Sequence, residues 1–336
     1  MDYYIIPVDF IECEDTNLSY PIKIDDLDFM YFFKKDILGS PILNDKFQYI
    51  FGYSYLERIR EGNYLIIKEF VKGDSEKIKH QDGMLNFQNE KTRKLHVFYE
   101  AAHLYLFALW MIKDNSVNTP FGIYINPEFG IGSPAMKKVM FTNSSGKYGD
   151  TLFKKDEIKS AHSSFELLCG LFVKHGENNR EYSTYNSFGP EIDPNMSSFK
   201  RAVNYVEAAR STSFLPAKIA FYISTLETLF VVTDSNSYKT PERTTVFLGG
   251  NMEERHAHFR IVRESYDVRS SYVHGSDVYK KHKKRLDEIS NDLDTVVRKV
   301  LTKFFTECQD LNYSGDDYKR INQHFIDLIL GGELNE

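Results

Sequence analysis

Hydrophobic spacing divides the chain into a mixed first part and a helical second part. Short runs rich in β-branched and aromatic residues, which are typical of strands, occur in the first part. They cover residues 3–11, 47–53, 64–70, 121–125 and 139–142. Apolar residues at three- and four-residue spacing predict two helices there, over residues 86–113 and 156–174. The first part is therefore predicted to be an α+β module.

A polar stretch rich in turn formers separates the two parts. It contains Gly189-Pro190 and Asp193-Pro194, and such dipeptides favour turns. We therefore predict an α+β module over residues 1–185, a candidate sensor or regulatory domain, and a helical domain over residues 196–336. The helical patterns of the second part cover residues 197–211, 214–233, 241–248, 253–274, 280–311 and 317–330. Their short connections favour antiparallel helices in an all-α bundle.

The composition is that of a globular protein large enough to build its core without metals or disulfides. The chain has 336 residues, of which 42% are hydrophobic and 27% charged. Its three cysteines lie far apart and form neither a disulfide framework nor a metal-binding motif. The longest apolar run, residues 104–112, is shorter than the roughly 20 residues that span a bilayer, and the first residues do not resemble a signal peptide. We therefore expect a cytoplasmic protein without a membrane partner.

The most informative helix is the one predicted over residues 253–274, which ends before Gly275. One stripe of this helix is apolar except for Arg269. A buried guanidinium without a partner is costly, so Arg269 is expected to meet a carboxylate, a phosphate or an open groove. His274 lies in the last turn, where the negative end of the helix dipole favours a protonated imidazole.

The spacing of Arg269 and His274 limits how they can act together. Five residues correspond to about 500° of rotation, so on a regular helix the two side chains lie roughly 140° apart. They converge only if the final turn unwinds or if two chains contribute to one cleft. This geometry is a reason to expect a homodimer through the helical domain.

The preceding helix, predicted over residues 214–233, supplies a partner for Arg269. Nearly every face of this helix is apolar, which indicates a buried central helix, and Glu227 is its only acid. We expect Glu227 to pair with Arg269. The pattern leaves open whether Glu227 only orders the two helices or takes part directly in chemistry.

Two segments resemble the HEPN superfamily: the LETLF sequence of residues 226–230 and the YDVRSSYVHG sequence of residues 266–275. The second is similar to the end of this helix in the ApeA-like branch, and the resemblance covers residues 213–275. It implies an all-α domain that dimerises around a shared groove and acts as a metal-independent endoribonuclease without a cofactor. Many such proteins are toxins or antiviral, abortive-infection effectors.

Carried over residue by residue, the resemblance makes Arg269 and His274 the catalytic pair, and we add Glu227 as a third candidate. Many active members have Asn, Asp or His directly after the arginine, whereas this chain has Ser270. The side chains themselves suit RNA cleavage. RNA carries its own nucleophile, the 2′-OH, a histidine can move protons near neutral pH, and an arginine fork binds phosphoryl oxygens without a metal. The expected products carry a 2′,3′-cyclic phosphate and a 5′-hydroxyl.

A basic cluster around this motif favours a polyanionic partner. Residues 255–285 include nine Lys and Arg residues and only three acids, although the whole chain carries a net charge of −6. The candidate RNA-binding residues are Arg263, Lys280, Lys281, Lys283, Lys284 and Arg285. The expected partner is RNA, for which tRNA and other single-stranded loops are candidates.

Three alternatives stay open at this point. Arg269 and His274 are also explained by a structural ion pair and a capping histidine, which would make the helical domain a non-catalytic scaffold for RNA or protein. In another alternative, the helical domain only dimerises while the first module binds a regulatory ligand. His256 and His258 could hint at a metal, but they diverge on a helix and no further ligand set completes a site.

Overall fold

The computed structural model describes the chain in separate stretches. They are residues 2–14, 21–23, 29–33, 45–69, 81–126, 131–135, 139–172, 174–175, 180–181, 196–230, 236–313 and 318–330. The chain forms two compact units, and residues 113–116 and 141–148 belong to the second unit together with residues 186–336. Most of the polar stretch at the predicted boundary, including both proline-containing dipeptides, lies outside the described residues.

The first unit contains a six-stranded antiparallel sheet in the order β3-β4-β5-β1-β6-β7. Its strands are β1 (Asp2–Val8), β3 (Pro21–Lys23), β4 (Phe29–Phe33), β5 (Asn63–Glu69), β6 (Gly122–Asn126) and β7 (Ile131–Ala135). Two small pairs lie outside it, namely β2 (Ile11–Cys13) with β8 (Thr151–Phe153) and β9 (Lys174–His175) with β10 (Arg180–Glu181). Ile5 of β1 pairs with Ile66 and Ile123 on either side, so apolar residues fix the central register.

Four helices complete the described part of the first unit: α1 (Asp45–Phe51), α2 (Tyr53–Glu61), α3 (Gln81–Ile112) and α4 (Lys155–Phe172). The predicted helices over 86–113 and 156–174 correspond to α3 and α4, which pack together. Residues 89–112 of α3 are long and apolar enough to cross a membrane, but most of this stretch is buried in the protein. His103 and Trp110 of α3 are among the buried residues.

Two predicted strands of the first part are wrong. Residues 47–51 lie in α1 and Tyr53 starts α2, with Gly52 between them. Phe47 and Phe51 are four residues apart and their rings contact each other, and Phe51 also contacts Tyr55 of α2. Residues 139–142 form no strand. The backbone N–H of Thr142 donates instead to the carbonyl oxygen of Arg210, at 2.7 Å.

The described part of the second unit contains helices and no strands. They are α5 (Ser198–Arg210), α6 (Leu215–Phe230), α7 (Asn236–Leu248), α8 (Met252–Val273), α9 (Lys280–Lys283), α10 (Leu286–Glu307) and α11 (Tyr318–Ile329). As predicted, α6 is the buried central helix, and it packs against α5, α7, α8 and α10. The protein is thus mostly helical, with a small sheet in the first unit.

The helix predicted over residues 280–311 is broken into α9 and α10. Lys284 and Arg285 separate the two, and Arg285 is the N-cap residue of α10 without a side-chain capping hydrogen bond. The His282 side chain is buried while the neighbouring Lys and Arg side chains are exposed.

Candidate functional site

Helix α8 carries most of the candidate site, and capping interactions define both of its ends. At its start, the Asn251 side chain accepts the N–H of Glu254 and the Glu254 carboxylate accepts the N–H of Asn251, which is a capping box. At its end, Gly275 adopts a φ of +67°, and Ser276 N–H donates to the Ser271 carbonyl at 2.9 Å. These caps fix which residues belong to the last turn.

Arg269 and Glu227 form the predicted ion pair between α8 and α6. Arg269 Nη2 donates to Glu227 Oε2 at 3.2 Å. Their side chains are 23% and 14% exposed, so the pair is neither at the open surface nor sealed in the core. The otherwise apolar stripe of α8 can therefore contain a charge, because the Glu227 carboxylate of α6 compensates it.

Tyr266 joins this pair from one turn earlier on α8. The Arg269 guanidinium lies 5.3 Å from the centroid of the Tyr266 ring, within the range of a cation–π contact. Burial, and then the negative charge of Glu227, raise the pKa of the Tyr266 hydroxyl. Tyr266 belongs to the YDVRSSYVHG segment and is three residues from Arg269, a spacing that places the two side chains side by side on the helix.

The Arg269 fork is only partly used by its partners. Glu227 Oε1 and Arg269 Nε are buried and have no hydrogen-bond partner among the described residues. The guanidinium is therefore held in place by one hydrogen bond and one ring while part of its donor capacity remains unused.

His274 caps the C-terminus of α8 and is exposed. Its backbone N–H donates to the Ser270 carbonyl at 3.1 Å, so the α-helical pattern continues to this residue. The last turn does not unwind, and the side chains of Arg269 and His274 leave the helix roughly 140° apart. No hydrogen bond between them is present in the described part of the chain. Because the last turn is regular, Arg269 and His274 could meet at one site only if two chains each contributed one of them.

Asp267 and His282 form a second contact on α8. Asp267 precedes His274 by seven residues and so lies on nearly the same face of the helix. Its Oδ2 atom is 3.7 Å from Nε2 of the buried His282 in α9. Sequence analysis missed His282, which stands in a run of five basic residues and so seemed to belong to the surface. The contact places His282 of α9, together with the Lys and Arg residues that flank it, beside α8.

The six candidate RNA-binding residues divide into two groups. Arg263 donates to the Ser237 carbonyl, Lys283 pairs with Asp277, and Arg285 pairs with Glu264 and Glu288. The remaining three are exposed and form no ion pair with any described residue. They are Lys280, Lys281 and Lys284.

Other features of the second unit lie apart from these residues. A groove of about 690 Å³ follows the first turns of α8. It is lined by Thr245, Glu253, Arg255, His256, Ala257, Phe259 and Arg260, so none of the candidate catalytic residues faces it. Within the described stretches, no group of three or more His, Cys, Asp or Glu residues is arranged to hold a metal ion.

Comparisons with known proteins yield no match to a family model, to a curated protein or to a solved structure. Function therefore has to be inferred from the side chains of α6, α8 and α9 and from their chemistry.

Proposed function

We propose that the helical unit is a metal-independent endoribonuclease of the HEPN type that acts as a homodimer. The observation that carries this proposal is the state of Arg269: its guanidinium is partly exposed, fixed by Glu227 and Tyr266, and incompletely hydrogen-bonded. A guanidinium held in this way is a preorganised site for phosphoryl oxygens. Five residues on, the exposed His274 supplies an imidazole.

Each side chain has one role in the proposed reaction. The imidazole of His274 accepts the proton of the 2′-OH, and the O2′–P bond forms as the P–O5′ bond breaks. Water protonates the leaving 5′-oxygen. Arg269 binds the non-bridging oxygens, on which negative charge grows in the transition state. Glu227 is a positioning residue, because its contact is with Arg269 rather than with RNA.

The proposal requires a second chain. Arg269 and His274 of one chain diverge by about 140° on a regular helix, so a single scissile phosphate reaches an arginine of one protomer and a histidine of the other. Two copies of α8 related by a twofold axis would create two such sites. The resemblance to HEPN effectors is the basis for a further part of the proposal: an antiviral role in which the first unit restrains the nuclease or selects its target.

The activity is tested with purified protein, total RNA and EDTA, followed by sequencing of 5′-hydroxyl ends. His274→Ala is expected to lower the cleavage rate by about 10²–10⁴-fold, the usual contribution of general acid–base catalysis. Arg269→Lys keeps the charge beside Glu227 but loses the fork, and should also stop cleavage. His256→Ala is the matched control, because His256 is an exposed histidine on the same helix. Unchanged cleavage in His274→Ala would contradict the proposal.

The scaffold alternative is favoured by one observation: in a single chain Arg269 is paired with Glu227, while helical geometry directs His274 to a different side of α8. A scaffold would bind RNA and never produce cyclic-phosphate ends. The same sequencing experiment therefore decides between the two functions.

A further inference from the structure

Three large aromatic side chains on or next to α6, α8 and α9 are exposed. Tyr272, in the last turn of α8, is 41% exposed, and Phe214, directly before α6, is 58% exposed. Their rings meet edge to face with centroids 6.0 Å apart. Tyr279, which precedes α9, is 62% exposed. We refer to Phe214, Tyr272 and Tyr279 as the aromatic surface: the first two are in ring contact, and Tyr279 follows Tyr272 by seven residues in the chain. Exposed aromatic groups of this kind mark contact sites.

The rings of the aromatic surface are carried by ordered backbone. Tyr272 belongs to the turn that the Gly275 cap closes, since the Gly275 N–H donates to the Tyr272 carbonyl at 3.2 Å. Tyr279 is the N-cap residue of α9, and its ring lies edge-on to the buried ring of His282, with centroids 6.2 Å apart. A planar ligand that stacks here would find rings whose positions are largely set in advance.

The charge around the aromatic surface identifies the kind of partner. From Tyr272 to Arg285 the chain has five Lys and Arg and one acid, Asp277, and Asp277 is already paired with Lys283. Direct contact between the lysine-rich segments of two copies is disfavoured, because like charges repel. A polyanion is attracted to it, and exposed aromatic rings beside unpaired lysines are the combination that binds single-stranded nucleic acids.

We propose that the aromatic surface stacks unpaired bases of the RNA substrate while Lys280, Lys281 and Lys284 bind the flanking phosphates. This inference rests on the proposed nuclease function and assigns particular side chains to the recognition of its single-stranded substrate. Two of the rings, Tyr272 and Tyr279, lie on either side of His274 in the chain.

The test measures binding without cleavage. A fluorescein-labelled 2′-O-methyl oligouridine has no free 2′-OH and cannot be cut, and polyphosphate is a polyanion without bases. Tyr272→Ala is expected to weaken oligouridine binding about 5- to 100-fold, the usual effect of losing one stacked base, and to leave polyphosphate binding unchanged. Tyr272→Phe should restore binding. Tyr238→Ala is the matched control, because Tyr238 is 57% exposed and contacts Phe259 edge to face.

Each outcome bears on the inference. Equal weakening of both probes by Tyr272→Ala, or no weakening, would overturn it, as would an absence of oligouridine binding by the wild-type protein. A change of oligomeric state in Tyr272→Ala with unchanged binding would assign the surface to a second copy. If Tyr272→Ala weakens oligouridine binding but the wild-type protein does not cleave unmodified RNA, the nuclease proposal is wrong and the stacking inference stands. If the protein cleaves RNA and Tyr272→Ala does not change binding, the stacking inference is wrong and the nuclease proposal stands.

Discussion

The helical unit contains two arginine sites that differ in a way that separates structure from function. Arg210 is 1% exposed, donates to the backbone and side-chain oxygens of Asn115, and lies 4.6 Å from the Phe141 ring centroid. Arg269 is 23% exposed and donates to Glu227. An arginine enclosed by protein on all sides can only stabilise the fold. One that is oriented by a carboxylate but still open can also bind a ligand.

The surroundings of Arg210 form a buried polar cluster. Asp294 accepts hydrogen bonds from Tyr222, at 2.7 Å, and from Arg298, at 2.8 Å. Lys218 donates to Thr142 and to the Ala209 carbonyl. Burial, and then the charge of Arg210, lower the pKa of Lys218 to about 7. Residues from parts of the sequence as far apart as Asn115 and Asp294 thus meet around Arg210, whereas the Arg269 site draws on α6 and α8, which are separated only by α7.

The largest expected effect comes from breaking the buried cluster. Asp294→Ala leaves buried cations without their counter-charge and should lower the free energy of unfolding by about 3–5 kcal/mol. Urea unfolding followed by circular dichroism measures this loss. Asp292→Asn, two residues earlier and partly exposed, is the control and should change stability by less than about 0.5 kcal/mol. If both changes lowered the free energy of unfolding equally, the loss in Asp294→Ala could not be assigned to the buried cluster around Arg210.

Lys218 makes the same cluster sensitive to pH. Its folded-state pKa is about 7 and its ordinary value is 10.5, so the unfolded chain binds more protons between these values and stability rises with pH. The contribution of Lys218 to the free energy of unfolding should grow by about 2 kcal/mol between pH 7 and pH 9. The difference between wild type and Lys218→Met isolates it from other titrating groups. A difference that stays constant over this range would contradict the assignment.

The Arg269 site should respond in the opposite manner, with little loss of stability and a large loss of activity. Glu227→Gln removes the counter-charge of a pair that solvent partly reaches, which should cost about 1–2 kcal/mol. Because Glu227 orients Arg269, the cleavage rate should fall further than this stability loss explains. Measuring kcat and KM separately tests this, since a positioning role lowers kcat. An unchanged rate in a folded variant would leave Glu227 with a structural role only.

The smallest effect on stability is expected at the exposed lysines. Lys280→Gln should change the free energy of unfolding by less than about 0.5 kcal/mol. It should also reduce the slope of log Kd against log salt concentration for single-stranded RNA by about 0.7, as one phosphate contact is lost. Titrations at several salt concentrations measure the slope. An unchanged slope would exclude Lys280 from the RNA contact.

The sequence predicted those parts of the site that depend on local patterns. Helix α8 follows from its capping residues and spacing, and the pairing of Glu227 with Arg269 follows because each is a lone charge on an apolar face. The burial of His282 and the pairing of Arg285 with Glu264 were missed, since both depend on how α9 and α10 pack against α8. The composition of residues 47–53 favours a strand, whereas the four-residue spacing of Phe47 and Phe51 favours the helix that forms.

The central claim is that Arg269 of one chain and His274 of another serve the same phosphate. The most direct measurement mixes Arg269→Lys protein with His274→Ala protein, each inactive by itself, after exchange of subunits. The mixture is expected to recover about one quarter of wild-type cleavage, because half of the dimers are mixed and each mixed dimer has one intact site of two. A mixture that stays inactive, although both variants are folded, dimeric and able to exchange, would contradict it.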